Sequence, residues 1–136
     1  MKILAILLLT ILSINLCAQE VTFSASWISA EDIELKEHNV IHLRKTIELD
    51  KVPEHFNIKI SADNQYRLFV NGKFVCKGPG RSDLEHWYYQ TIDLGEYLKT
   101  GKNVLAAEVV NFGPRRGFSQ LSHLTAFFME GETELE

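Results

Sequence analysis

Residues Ile60–Gly113 read ISADNQYRLFVNGKFVCKGPGRSDLEHWYYQTIDLGEYLKTGKNVLAAEVVNFG, and the order of signals in this stretch decides the fold. Tyr66, Leu68 and Val70 fall at every second position, with polar Gln65 and Arg67 flanking the first of them, the period of a strand with one buried face. Asn71-Gly72 follows, supplying the positive backbone angles of a two-residue hairpin, and Lys73 to Lys77 is the returning strand. Asp93-Leu94-Gly95-Glu96 places an acceptor and a Glu three residues apart, a capping-box-like start for one short helical turn with apolar contacts at Leu94, Tyr97 and Leu98. Gly101 ends that turn. Val104 to Val110 is apolar on both faces except at Glu108, which suits a central strand.

Working outward, Phe56 to Ala62 sets Phe56, Ile58, Ile60 and Ala62 on one face of a half-buried strand. Val40 to Leu49 alternates less cleanly, with Ile41, Leu43, Ile47 and Leu49 on one side and Lys45 interrupting them. Leu121 to Met129 is predicted as the last clear strand. With one more near Trp27 and one running on from Thr133, the total is about eight short strands, the pattern of an all-β sandwich or jelly roll. The sequence shows no internal repeat and no low-complexity linker.

The opening MKILAILLLTILSINLCA has the layout of a secretory signal peptide, with Lys2 ahead of a Leu- and Ile-rich run. Cleavage after Ala18 is expected, and with it export to the periplasm or beyond. The rival reading, a lipidated Cys17, meets Leu16 where a lipoprotein signal wants a small residue. Removing 18 of 136 residues leaves Gln19–Glu136, one domain of 118 residues and net charge −5, since Lys2 leaves with the leader. That balance argues against nucleic acid, whose phosphates need a basic face. No apolar run remains to span a membrane. Cys76 is then the lone cysteine, so no internal disulfide forms. The final GETELE begins a new alternating segment without a terminal breaker, which predicts that the chain is the front piece of a longer protein.

Val70-Asn71-Gly72, the Gly78-Pro79-Gly80 loop, Asp93 to Leu98 and Gly101 to Leu105 together resemble the amino-terminal β-sandwich module of bacterial α-L-rhamnosidases, a galactose-binding-like jelly roll. They are similar, more distantly, to the sugar-binding domain of β-galactosidases. Ala25-Ser26-Trp27-Ile28 and Leu43 to Ile47 look like the opening of such modules. The resemblance implies a non-catalytic accessory or carbohydrate-binding module. In that family, inverting hydrolysis falls to carboxylates of a separate helical barrel, so a downstream catalytic domain becomes the expected partner. It also implies that a related module can bind the sugar itself, sometimes with calcium, through loops corresponding to Gly78–Tyr89 and Val110–Gly117. No cofactor is required. A stand-alone lectin-like binder and a purely structural docking module are the alternatives, because fold alone does not fix function.

Two loops carry the candidate carbohydrate-binding residues. Arg81, Asp83, Glu85, His86, Trp87, Tyr88 and Tyr89 combine aromatic faces for the C–H side of a pyranose with planar polar groups for its hydroxyls. The bland alternative buries Trp87 and Tyr89 in the core and leaves Tyr88 pointing outward. Asn111, Arg115, Arg116 and Gln120 form the second loop. Its two arginines can fork onto a uronate or onto a carboxylate of a neighbouring domain, and Phe112 and Phe118 flank them as a docking patch. Asp83 and Glu85, as residues i and i+2, would be too close on an extended segment for an inverting pair, which wants roughly 6.5–9.5 Å, although a loop does not fix that spacing. Asp63-Asn64 reads as a turn former. The five histidines have no zinc-like spacing, whereas Asp83 or Asn111 with backbone carbonyls could hold calcium. Cys76 reads as a small buried residue and not a nucleophile.

Overall fold

The computed structural model describes residues 22–131. The leader, Cys17 and the segment from Thr133 lie outside the described residues. The described residues form seven strands: β1 (Asn39–Leu49), β2 (Asn57–Ala62), β3 (Gln65–Val70), β4 (Lys73–Gly78), β5 (Gln90–Asp93), β6 (Gly101–Asn111) and β7 (Phe127–Gly131). They make a four-stranded sheet of order β1-β6-β3-β4 and a three-stranded sheet of order β5-β2-β7. Every pairing is antiparallel, and among the described residues helix is limited to single 3-10 turns at Gly95–Tyr97 and Gly113–Arg115.

The two sheets share one core. Ile41 and Ile47 of β1, Leu68 and Val70 of β3, and Leu105, Ala107 and Val109 of β6 meet Ile58, Ile60 and Ala62 of β2 and Phe127 of β7. β3 and β6 bury alternate residues most regularly, because successive side chains leave opposite faces of the pleat. Tyr66 ties the layers: its ring lies edge-on to Phe127 at 6.2 Å, and its hydroxyl donates to Oε1 of Gln90 on β5. Burial, with Cys76 Sγ 3.9 Å away, pushes the Tyr66 hydroxyl far above its ordinary pKa. Burial likewise raises the Cys76 thiol, leaving little thiolate for nucleophilic chemistry.

The hairpin forms as its sequence demands, with φ of 52° at Asn71 and 80° at Gly72. Asn71 does more than turn. Its carboxamide donates to Asn103 Oδ1 at 2.8 Å and accepts from Val104 N–H at 3.0 Å, pinning the hairpin tip to the start of β6. Lys45 breaks the β1 pattern without harm because β1 is a sheet edge: it pairs with Leu105 on the inner face yet remains exposed. A charge there also discourages edge-to-edge pairing.

Two expected strands are shorter or absent. Ile28 makes one isolated bridge to Phe127 and no strand. The strand expected over Leu121 to Met129 runs from Phe127 to Gly131 instead. The reason lies in side-chain bonds: Leu121 O accepts from Asn64 Nδ2, and Ser122 and His123 donate to Asp63. This backbone is held by a distant turn and not by a neighbouring strand.

Candidate functional site

The turn between β2 and β3 is the foundation of the site. Asp63 and Asn64 carry the chain from one sheet to the other, and both side chains are buried. The Asp63 carboxylate accepts from Asn111 Nδ2 at 2.7 Å, from Ser122 Oγ and from His123 N–H at 3.0 Å. Asn64 Oδ1 accepts from Phe112 N–H at 2.8 Å. A buried carboxylate is tolerated only when so satisfied. Here the donors come from about fifty to sixty positions downstream, so the turn gathers the second loop onto the end of the sheets.

Two depressions share Asp63. A cleft of about 190 Å³ is lined by Trp27, Trp87, Leu124 and Ala126, with Asp63 and His123 as its polar members. The two indoles stand edge to face, their centroids 5.8 Å apart. Beside it lies a small polar notch formed by Asp63, Asn64, Gly80, Arg81, Ser82, Gln120 and Leu121. Arg81 crosses from the first loop to the second, donating from Nη1 to Ser119 Oγ at 2.8 Å. A wider cavity of about 240 Å³ opens at the seam between β1 and β7. Its apolar lining includes Leu43, Leu105, Phe127 and Met129, with Arg44 and Lys45 at its polar side, and it has one aromatic ring where the cleft has a pair.

The residues singled out in the sequence fall into three groups. Arg81, Trp87 and Gln120 line the cleft or the notch. Tyr88 projects with 62% of its surface exposed, and Tyr89 is also exposed, contrary to a core position. Asn111, expected on an open loop, is the last residue of β6 and is 1% exposed. Its Oδ1 accepts from Gly113 N–H at 2.7 Å and its Nδ2 is spent on Asp63, so it supports the loop instead of facing solvent. Gly113 is required there: its φ is 57°, and a Cβ would lie 2.5 Å from the His38 nitrogen. Arg115, Arg116 and Phe118 are exposed on the loop tip and line neither depression.

The Asp83 carboxylate is turned back onto its own loop. Asp83 Oδ1 accepts from the backbone N–H of Glu85 and of His86, at 2.8 and 2.7 Å. These bonds, helped by the His86 ring, hold its carboxyl below the ordinary range, whereas a general acid needs a raised value. At the two residues considered for calcium, Asp83 Oδ1 and Asn111 Oδ1 face backbone N–H donors.

Trp27, Asp63 and His123 went unrecognised as site residues in the sequence. Trp27 was a visible signal as one of two tryptophans, but no local pattern sets it against Trp87.

No protein-family model matches the sequence, and no curated protein does. Solved structures do. The chain is similar over 86% of its length to a GH78 family rhamnosidase of Bacillus sp. GL1. That match has 29% identity and a TM-score of 0.76, and it covers 12% of the enzyme. An α-L-rhamnosidase from Dictyoglumus thermophilum matches 77% of the chain at 17% identity, with a TM-score of 0.60 and 14% of that enzyme covered; this second likeness is one of fold. The chain thus spans about an eighth of the rhamnosidases it matches. It is related to a small part of such an enzyme.

Proposed function

We propose that the chain is a non-catalytic, carbohydrate-binding accessory module of an exported α-L-rhamnosidase-type glycoside hydrolase, with a galactose-binding-like jelly-roll fold. A catalytic domain of the same protein would be its partner. The observation that carries the reading is the Trp27–Trp87 cleft, opening beside a polar notch that shares Asp63. An indole face takes the apolar side of a pyranose, while the notch offers Arg81, Ser82 and Gln120 to hydroxyls. So shallow a site binds weakly, with a Kd on the order of millimolar.

The chain provides its own probe, because Trp27 and Trp87 are its only tryptophans. Titration with methyl α-L-rhamnoside should change tryptophan fluorescence saturably, and Trp87→Ala should abolish binding followed by calorimetry. A parent protein that melts cooperatively yet gives no saturable signal defeats the proposal.

One observation favours structural docking as the second reading. Phe118 is fully exposed at 108%, beside Arg115 and Arg116, which have no carboxylate within 4 Å among the described residues. Aromatic residues and Arg are enriched at protein interfaces. On this reading Phe118→Ser would weaken attachment to the catalytic domain and leave the rhamnoside titration unaltered.

A further inference from the structure

The tryptophan cleft is one end of a larger aromatic surface. On β2 and β7, Ser61 pairs with Phe128 on the outer face of the three-stranded sheet, opposite to the inward Ile60 and Ala62. Residues 23–27 lie over Phe128: the Phe23 ring sits 5.0 Å from it and the Trp27 ring 5.7 Å. The segment Trp87–Tyr89 runs alongside, anchored where Ser61 Oγ donates to Tyr88 O at 2.6 Å. It adds Trp87 against Trp27 at 5.8 Å and Tyr89 against Phe23 at 5.3 Å. The rings thus form two flanking pairs with Phe128 as the floor between them. Phe23, Trp27 and Tyr89 each keep about two fifths of their surface exposed.

We infer that this surface binds a glycan chain of at least two consecutive rings, the cleft taking one ring and the Phe23–Tyr89 end the next. The inference rests on the proposed carbohydrate-binding reading and deepens it. Placement supports it: Trp87 and Tyr89, two residues apart on one segment, stand against Trp27 and Phe23, four residues apart on the other, so the second ring pair lies beyond the cleft, whose lining includes neither Phe23 nor Tyr89. Chemistry supports it as well. The patch is aromatic and interleaved with polar groups: Lys59 Nζ lies 5.6 Å from the Phe23 ring centre, and the Glu130 carboxylate accepts from Ser24 Oγ and N–H. Such a mixture suits the alternating C–H and hydroxyl surface of a sugar better than an aliphatic protein contact.

The angles narrow the ligand further. The Trp27–Trp87, Phe23–Phe128 and Phe23–Tyr89 planes meet at 63°, 78° and 82°, so the rings form no flat shelf. A soluble chain whose rings turn relative to one another matches that surface, whereas the flat ribbons of a crystalline polysaccharide do not.

The test is a ladder of α-linked rhamno-oligosaccharides of one to four rings, followed by tryptophan fluorescence and calorimetry. The expected result is a Kd that falls roughly two- to tenfold from one ring to two, the range of one added aromatic contact, and levels off where the platform ends. Tyr89→Ala should remove that gain, and Tyr89→Phe should keep it. Microcrystalline cellulose should not deplete the protein from solution. The same Kd at every length would overturn the inference and leave the single-ring site standing. Binding at no length would remove both, and depletion by cellulose would overturn the twisted-chain assignment.

Discussion

Tyr66 and Tyr88 are the same residue in opposite settings. Tyr66, between the sheets, is 1% exposed and spends its hydroxyl on Gln90. Tyr88 shows both ring and hydroxyl to solvent, and only its backbone oxygen is fixed, by Ser61. The contrast extends to the regions around them. Between the sheets, side chains from both layers interlock, and polar groups are few and paired. At the loop end, aromatic rings lean on one another at the surface, their segment anchored by Ser61, while a buried Asp63 network beside them holds Asn111, Ser122 and His123. The first region supplies stability through burial. The second uses part of that stability to keep apolar rings in water, which is the expected signature of a surface awaiting a ligand.

The comparison can be broken from the core side first. Leu68→Ala, at a position with no exposed surface, should cost about 2–5 kcal/mol of unfolding free energy in a urea titration. Asp63→Ala strikes the junction of the two regions. It strands the donors of Asn111, Ser122 and His123, and should cost about 1–3 kcal/mol while also weakening rhamnoside binding. If stability falls and binding does not, the network serves the fold alone. Gly72→Ala addresses the hairpin, where φ is 80° and the space around the α-carbon is open. Strain without a clash should cost about 1 kcal/mol in the same titration, with the glycan site unaffected.

The smallest effect sharpens the comparison through pH. Phe56 N–H, then the His55 ring and Gly95 N–H, hold the Asp93 carboxyl at a pKa of about 2. A depressed folded value contributes stability above the ordinary carboxylate pKa near 4, and that contribution is lost as pH falls through about 2. The melting temperatures of the parent and Asp93→Asn should therefore differ at neutral pH and converge on acidification between about 4 and 2. A gap that persists below that window would assign the effect to packing.

Much of the sandwich was legible because its signals are local. The alternation at Phe56 to Ala62 and Tyr66 to Val70 marks the inner faces, and the apolar run from Val104 marks the strand that lies between β1 and β3. The segment Leu121 to Ala126 misled for a physical reason. Its alternation resembles a strand, but Asp63 and Asn64 captured its backbone before a neighbouring strand could. Of the candidate site, Arg81, Trp87 and Gln120 stand out by composition and line the cleft or the notch, whereas the burial of Asn111 is not legible, because nothing near it in sequence shows that Asp63 claims its amide.

The sequence by itself determined that the chain alternates, where it turns and which residues face inward. Those properties depend on one residue and its near neighbours through pleat geometry and the left-handed backbone angles of Asn71 and Gly72. Only the tertiary structure decided that Trp27 meets Trp87, that Phe23 and Tyr89 prolong the surface, and that a turn at Asp63 reaches 59 and 60 positions onward to hold the second loop. Stacking two antiparallel sheets brings together residues with no fixed spacing in the chain, so the aromatic site exists only once both layers have closed on their common core.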